Sequence, residues 1–185
     1  MNAPSAPIVI VFHSGYGHTA KVAEAIAETS GAALLAINSE GNLPEGGWEQ
    51  LAAAKLIVFG SPTYMGMASW QFKKFADASS KPWFGQAWKD KLFAGFTNSA
   101  SIAGDKHSTM HYFITLAMQH SGLWVGSALM PANNKAASRD SVGFVTGMAG
   151  LMTATPSDAS VDEMVPSDLA AARAFGERLK AVALR

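Results

Sequence analysis

The sequence predicts an α/β protein: a three-layer α/β/α sandwich around a five-stranded, doubly wound parallel sheet. Short apolar runs, such as IVIVF at residues 8–12, fit strands that are buried on both faces. Segments with apolar residues three and four positions apart follow these runs and predict amphipathic helices. Because strands alternate with helices along the chain, we expect the strands to pair in parallel through crossover connections.

The individual elements follow from the same patterns. A helix from Thr19 to about Thr29 follows the first strand, and Gly31 is placed to end it. The last helix opens near Pro166, which suits a first helical turn. The other predicted strands cover residues 32–37, 55–60, 91–98 and 123–129, and the other predicted helices cover residues 48–54, 69–80 and 108–120. The Gly- and Ser-rich stretch 130–150 predicts a long loop, after which LMTAT resumes the last strand.

Length and composition narrow the class of protein. The 185 residues suit a single domain, expected to span residues 1–185, and they include no cysteine, which excludes disulfides and thiolate metal sites. Fourteen basic residues balance fourteen acidic ones, so we expect no surface for nucleic acid. No apolar stretch is long enough to span a membrane, and the N-terminal MNAPSAP lacks a signal-peptide pattern. We therefore expect a cytoplasmic protein with no membrane insertion.

Three segments rich in small and polar residues follow predicted strand ends. We call them the first loop (HSGYGHT, residues 13–19), the second loop (SPTYMGMAS, residues 61–69) and the third loop (TNSASIAGDKHS, residues 97–108). In a doubly wound sheet, ligands bind outside the carboxyl ends of the strands. The three loops are therefore predicted to meet at one edge of the sheet and to form a site there.

The first loop has the chemistry of a phosphate cradle. Gly15 and Gly17 allow close backbone approach, and the helix that follows presents unpaired N–H groups. Ser14 and Thr19 add hydroxyl donors, whereas the lysine of a triphosphate-binding loop is missing. Neutral donors suit a small phosphate monoester held without a metal. The alternative is a tight turn in which Ser14 or His18 caps the helix.

The second and third loops offer a flat face and a polar edge. Pro62 and Gly66 fix the shape of the second loop, and Tyr64 and Met65 at its tip can stack on a planar ring. The small and polar residues of the third loop can surround the edge of a heterocycle with backbone donors. Alternatively, Tyr64 packs on the domain itself and the third loop is a plain connection. A phosphate site, a flat face and a polar edge together describe flavin mononucleotide (FMN).

Three stretches, HSGYGHTAKVAEAIAE, IVFGSPTYMGMASWQFKKFAD and TLAMQHSGLWVG, resemble the flavodoxin-like family. The resemblance is closest to its branch of tryptophan repressor-binding protein-type NAD(P)H:quinone oxidoreductases and NADPH-dependent FMN reductases, and it runs from about residue 8 to residue 127. It implies a flavodoxin-like fold, FMN as cofactor, NAD(P)H as co-substrate and a homo-oligomer, either dimer or tetramer. The cofactor-binding residues that it implies are Ser14, Gly15, Tyr16, Gly17, His18, Thr19, Pro62, Thr63, Tyr64, Met65, Gly66, Asn98, Ser99, Ala100, Ser101, Gly104 and His120, the last possibly from another subunit.

Three function hypotheses remain open at this point. The first is an oxidoreductase that passes two electrons from NAD(P)H through FMN to a quinone-like acceptor, with no catalytic side chain assigned. The second is a flavodoxin-type electron carrier, a class that is usually strongly acidic, unlike this chain. The third is a regulatory module on the same fold, which would need an acidic cluster where His13 and Ser14 stand. The balanced charge and the YGH loop favour the first hypothesis.

The five histidines raise the question of a metal site. His107 and His111 have ligand-compatible spacing, but HExxH is absent and no acidic third ligand is evident, so we expect no metal. His120 fits either a functional residue or a cation at a helix end. A short predicted helix carries three aromatic residues that fit either the core or an oligomer contact: Trp83, Phe84 and Trp88.

Overall fold

The computed structural model describes residues 8–185. Residues 1–7, considered above for a signal peptide, lie outside the described residues. Across the described residues, no helix combines the length and the apolar character that a membrane span requires.

The centre of the fold is a parallel sheet. β1 (Ile8–Phe12) lies between β2 (Ala33–Ala36) and β3 (Leu56–Tyr64), and β5 (Leu92–Ser99) pairs with the other side of β3. The strand order is therefore β2-β1-β3-β5, followed by one further position. This is the doubly wound order with its switch point between β1 and β3, and it confirms the predicted fold class.

The fifth position of the sheet is filled by two short strands. β6 (Leu123–Trp124) pairs with the start of β5, and β7 (Leu151–Ala154) pairs with its end. The prediction that 123–129 is one continuous strand is wrong, because the amide and hydroxyl of Ser127 bond to Met148 O and Gly147 O instead of the sheet. The prediction that the strand resumes at LMTAT is confirmed.

Helices cover both faces of the sheet. α1 (His18–Ser30) and α6 (Pro166–Ala183) pack on one face, with Ile8, Ile10 and Phe12 of β1. Val9 and Val11 point to the opposite face, because successive side chains alternate along a strand. The helices packed on that second face are α2 (Gly47–Ala53), α3 (Trp70–Ala78) and α5 (Lys106–Gln119).

The predicted helix over residues 69–80 is divided in the structure. α3 ends at Ala78, and the short helix α4 (Ser80–Phe84) follows it. Trp83 and Phe84 are exposed on α4, whereas Trp88 is buried. The Trp88 ring stacks on Trp48 with a centroid separation of 6.3 Å. Trp88 is therefore a core residue, and only Trp83 and Phe84 are free to make an oligomer contact.

Candidate functional site

A cavity of about 290 Å³ lies at the carboxyl edge of the sheet. The first, second and third loops supply three of its walls, as predicted from the strand order. The fourth wall comes from residues 155–160, which follow β7 and which we call the fourth loop. The lining residues are Tyr16, His18, Thr19, Pro62, Thr63, Tyr64, Asn98, Ser99, Ala100, Thr155 and Ser157.

The first loop turns tightly into α1. Gly17 is the N-cap of α1, with φ of 92°, and a Cβ on it would lie 2.8 Å from Val161 Cγ2. Both the backbone conformation and the close approach therefore require glycine here. Ser14 Oγ accepts a hydrogen bond from Ala20 N at 3.1 Å and so satisfies one donor of the first helical turn.

The other donors of this turn remain open. None of the backbone N–H groups of residues 14–19 donates to another described residue. They surround the positive end of the α1 dipole, which is the arrangement that binds phosphate at helix N-termini. Both readings of the first loop are thus partly right: Ser14 caps the helix, and the loop still presents a set of unpaired N–H groups.

Two buried histidines flank the first loop. The His18 ring is buried, and its Nε2 lies 2.9 Å from Ala159 O in the fourth loop. That hydrogen bond ties the first loop to the fourth loop and leaves the backbone N–H of His18 available. His13, at the end of β1, is also buried, and its Nδ1 has no partner among residues 8–185. Burial lowers the pKa of His13, so its ring is held neutral.

The second loop forms a hairpin above the first loop. Tyr64 pairs with Met67 of the two-residue strand β4 (Met67–Ala68), and Met65 and Gly66 between them both have positive φ. Two positive φ values in a two-residue loop are typical of a type I′ turn. Met65 is fully exposed at the tip. Met65 and Gly66 therefore shape the hairpin, whereas Tyr64 lines the cavity.

The Tyr64 ring covers the first loop. A Cβ on Gly15 would collide with the Tyr64 hydroxyl group, so a larger residue here would push the Tyr64 ring aside. The rings of Tyr16 and Tyr64 meet edge to face with centroids 6.1 Å apart. Burial, with a contribution from Tyr16, raises the pKa of Tyr64. The two tyrosines form the aromatic rim of the cavity.

The third loop is joined to its neighbours by side-chain hydrogen bonds. Thr63 Oγ1 lies 2.8 Å from both Thr97 Oγ1 and Thr109 Oγ1, which fixes the second loop against the third. Asn98 Oδ1 accepts from Thr153 Oγ1 at 2.8 Å and Thr155 Oγ1 at 3.1 Å. The Asn98 amide nitrogen donates to no other residue in the described part of the chain. The Asn98 amide hydrogens are therefore unpaired within the described part of the chain, beside the cavity.

Lys106 lies behind the third loop. This lysine is 1% exposed, and its Nζ donates to Ser99 Oγ, Ser101 O and Ile102 O at distances from 2.7 to 2.8 Å. Gly104 packs against Ser99 with φ of 50°. Ser101 and Gly104, predicted as cofactor-binding residues, therefore hold the shape of this loop and do not line the cavity.

Sequence reasoning missed Thr155, Ser157 and Lys106. The two hydroxyl residues follow β7, so the predicted resumption of the last strand at LMTAT was the signal that a fourth loop reaches the same edge. Lys106 had no such signal, because a lysine beside Asp105 at the start of a helix is typical of a solvated surface.

His120 does not join the cavity. It caps the far end of α5, and the fourteen residues of that helix span about 21 Å from the third loop. Its Nε2 lies 2.9 Å from Ser79 Oγ, and its ring packs 4.3 Å from the Trp88 ring. Burial lowers the pKa of His120 to about 4, so the ring is neutral at pH 7. Within this chain, His120 is a core residue at the opposite edge of the sheet.

An apolar cleft adjoins the cavity and shares Tyr64 with it. Its walls include Met67, Trp70 and Tyr112, and two lysines of α3, Lys73 and Lys74, lie at its rim. Trp70 is 61% exposed. Within residues 8–185, no group of three or more histidine and acidic side chains is arranged to hold a metal ion. The site therefore consists of backbone donors, hydroxyls and aromatic rings.

These features define a class of protein: a doubly wound α/β protein with a phosphate-type loop after its first strand and an aromatic rim over the switch point. Comparison with known proteins refines the class. A family model described as NADPH-dependent FMN reductase matches residues 47–136. Flavodoxin FldP of Pseudomonas aeruginosa (strain UCBPP-PA14) is 48% identical over 171 residues, which cover 92% of this chain and 93% of the relative.

Two further matches point the same way. The crystal structure of a flavodoxin, WrbA-like protein from Agrobacterium tumefaciens matches with a TM-score of 0.77 at 50% identity and covers 96% of each chain. An NAD(P)H dehydrogenase (quinone) of Geotalea uraniireducens (strain Rf4) is 29% identical, with 96% of this chain and 98% of the relative covered. The chain belongs to the flavodoxin-like family of FMN proteins, near its WrbA-like members.

Proposed function

We propose that this protein binds FMN in the cavity and acts as an oxidoreductase that passes two electrons from NAD(P)H to a quinone-like acceptor. FMN, when bound, supplies a ring that accepts a hydride and releases electrons. The protein's own residues then have three tasks: to hold the phosphate, to orient the ring and to admit a second flat molecule beside it.

The first loop fits the phosphate of FMN. The backbone N–H groups of residues 14–19 donate to no residue between 8 and 185, and the glycines at 15 and 17 leave no Cβ in the cradle. The first loop contains no lysine or arginine, so neutral donors and the helix dipole carry the binding. A phosphate monoester with about two negative charges suits such a cradle.

The second and third loops fit the ring of FMN. Tyr64 and Tyr16 provide aromatic surface on one side of the cavity. Asn98 and Ala100 line the cavity, and neither the side-chain amide nitrogen of Asn98 nor the backbone N–H of Ala100 donates to a described residue. We infer that these donors bind the polar edge of the ring, where negative charge gathers on reduction.

The apolar cleft is the single observation that favours an enzyme. It adjoins the cavity, and its exposed Met67 and Trp70 offer an aromatic and thioether surface to a nicotinamide or quinone ring. Of the two lysines in the cleft, Lys73 is paired with Asp77, whereas Lys74 donates only to a backbone carbonyl and leaves a positive charge that could attract a dinucleotide phosphate. The Geotalea relative named NAD(P)H dehydrogenase (quinone) supports the same reaction class.

A second candidate function is a one-electron carrier that docks on other proteins. The 48% identical relative is named a flavodoxin, and this observation favours the carrier. The net charge favours the enzyme instead, because fourteen basic residues balance fourteen acidic ones, whereas carriers of this kind are usually strongly acidic.

An anaerobic absorbance experiment separates the two candidates. The protein is loaded with FMN, then NADH or NADPH is added, and the visible flavin band is followed. Rapid bleaching, followed by recovery when a quinone is added, supports the enzyme. A bound flavin that nicotinamides leave oxidised, but that a one-electron donor converts to a long-lived half-reduced form, supports the carrier. Failure to bind FMN would overturn both.

Matched tryptophan variants test whether the cleft admits the co-substrate. Trp70→Ala is expected to raise the KM for NAD(P)H about tenfold, because an exposed aromatic platform is lost. Trp83→Ala removes another exposed tryptophan, from α4 and outside the cleft, and should leave the KM unchanged. Equal effects of the two variants would contradict the proposed role of the cleft.

The homo-oligomer stays a prediction, which analytical ultracentrifugation of the FMN-loaded protein checks.

A further inference from the structure

Lys106 is a buried cation that the proposed reaction does not use. Its Nζ makes three hydrogen bonds, all to residues 99–102 of the third loop. It forms no salt bridge with any carboxylate in residues 8–185. A lysine buried without an acidic partner is uncommon, because removing its charge from water costs several kcal/mol. Its position against the wall of the cavity therefore calls for an explanation.

The hydrogen bonds show that this lysine is protonated. Ser101 O and Ile102 O are carbonyl oxygens, which only accept. The Ser99 hydroxyl donates its own hydrogen to Ser101 O at 2.9 Å, so Ser99 Oγ also accepts from Nζ. Three acceptors require three N–H bonds, which a neutral amine does not have. Burial lowers the pKa of Lys106 to about 8, which still leaves the ammonium form in excess at pH 7.

The same hydrogen bonds orient the third loop. Two carbonyls, those of Ser101 and Ile102, point at the ammonium group. In a planar trans peptide the N–H points away from the carbonyl, so the N–H groups of Ile102 and Ala103 point away from Nζ. Neither of them donates to a described residue. A charge-assisted bond at the carbonyl polarises the peptide and strengthens its N–H as a donor.

We propose that Lys106 is a positioning residue that raises the reduction potential of the bound FMN, by fixing the third loop where Ser99 and Ala100 line the cavity and by placing a positive charge behind Ser99. The inference rests on the proposed FMN site. Uptake of two electrons and one proton adds one negative charge to the ring, and the nearby ammonium stabilises that charge without giving or taking a proton or an electron. Reduced FMN is thus held more tightly than oxidised FMN.

Two neutral substitutions test this assignment. Lys106→Met removes the charge and the hydrogen bonds, whereas Lys106→Gln removes the charge and keeps an amide that can donate to the loop carbonyls. Lys91→Met is the matched control, since Lys91 Nζ also donates to two backbone carbonyls, of Ala52 and Ala54, at the opposite edge of the sheet. The measurement is the dissociation constant for FMN, oxidised in air and reduced under anaerobic conditions, with the potential of the bound flavin as a cross-check.

The ratio of the two dissociation constants decides the outcome. For both Lys106 variants we expect the affinity for reduced FMN to fall about tenfold more than the affinity for oxidised FMN, which for a two-electron couple lowers the potential by about 30 mV. Lys91→Met should leave the ratio unchanged even if it lowers the melting temperature. Equal losses for oxidised and reduced FMN in the Lys106 variants would show a purely structural role and overturn the proposal.

The remaining outcomes are also informative. If Lys106→Met fails to fold, Lys106→Gln decides, and an unchanged ratio in that variant overturns the proposal. If the wild-type chain binds neither oxidised nor reduced FMN, the proposed function itself has failed. If the wild type binds FMN but the Lys106 variants leave the ratio of the two dissociation constants unchanged, the FMN site is supported and the proposed role of Lys106 is wrong.

Discussion

The two edges of the sheet differ in how far their polar groups find hydrogen-bond partners within the protein. At the carboxyl edge, the backbone N–H groups of residues 14–19 and 100–103 find no partner among the described residues. At the amino edge, Lys91 donates to the last carbonyls of α2, and His120 Nε2 bonds to Ser79 beside the stacked Trp88 ring, although His120 Nδ1 is buried without a partner among the described residues. Residues 15, 16 and 100–103 are exposed, so water can pair their N–H groups and a ligand can replace that water, whereas a buried polar group needs a partner within the protein. From this comparison we predict that the carboxyl edge binds the ligand and that the amino edge contributes to stability.

The largest expected effect tests the amino edge. Trp88 is 1% exposed and packs on Trp48, Phe93 and His120, so Trp88→Ala should lower the free energy of unfolding by about 3–5 kcal/mol. Urea denaturation followed by circular dichroism measures this. The affinity for FMN, measured below the unfolding transition, should stay within twofold of the wild type. A parallel loss of FMN affinity would break the division between the two edges.

Acid should destabilise the amino edge through His120. Burial lowers the pKa of His120 from 6.5 to about 4, so the unfolded chain takes up a proton that the folded chain refuses. Stability is therefore complete above pH 6.5 and falls as the pH drops from 6.5 to 4, by up to about 3 kcal/mol. Urea unfolding at pH 7, 5.5 and 4.5 measures the decline.

Two histidine variants sharpen the pH experiment. His120→Gln does not titrate and should flatten the dependence, while the exposed His107→Gln should leave it unchanged. Burial of His13 acts in the same direction, and it is present in both variants. An equally steep decline in His120→Gln would show that another group controls the acid response.

The glycines at the two ends of α1 allow the same comparison within a single helix. Gly17 and Gly31 both have positive φ, but only Gly17 lies in the cradle, with Val161 close by. Gly17→Ala should weaken FMN binding about 100-fold, since the turn must change conformation to relieve both the strain and the contact. Gly31→Ala has free space around it and should lower stability by about 1 kcal/mol with unchanged FMN affinity. Fluorescence titration of FMN measures both, and similar affinities in the two variants would count against a phosphate cradle.

The smallest expected effect lies in the second loop. Tyr64→Ala should weaken FMN binding about fivefold to tenfold, because an aromatic contact of about 1 kcal/mol is lost. Met65→Ala, one residue further along, removes a fully exposed side chain and should have no effect. The same fluorescence titration resolves the pair. A larger loss for Met65→Ala would mean that the hairpin closes over the ligand.

Sequence patterns predicted most of the fold. β1 covers residues 8–12 as predicted, since a short apolar run with β-branched residues favours a strand that is buried on both faces. The three loops also meet as expected, because strand order dictates which ends share an edge. The split of the last strand was not predictable in full, since the apolar residues 125–129 resemble strand and turn away only when Ser127 pairs with the returning chain.

Side-chain roles were harder to predict than strand positions. Periodicity identifies the buried face of a helix but not the identity of its neighbours. The sequence therefore allowed His120 to be a functional residue or a cation at a helix end, and only the structure shows it buried and neutral beside Trp88. For Lys106 the residue type itself misled, because it predicts exposure. Lysine is normally solvated, and only the folding of residues 99–102 around its ammonium group reveals a buried cation.

Because the fifth strand is divided, the length of the segment between β6 and β7 can change without a change in the shape of the sheet. Residues 125–150 leave the sheet after β6 and return at β7, and Arg139 anchors them through a two-pronged bond to Asp168 at the start of α6. The entropy lost on closing such an excursion grows with the logarithm of its length, about 0.6 kcal/mol for each doubling. We therefore expect insertions and deletions between the two half-strands to cost little where they spare the Arg139 anchor and the bonds of Trp124, Gly126 and Ser127. A peptide tag or a second domain placed in the middle of this segment is expected to leave the sheet unchanged.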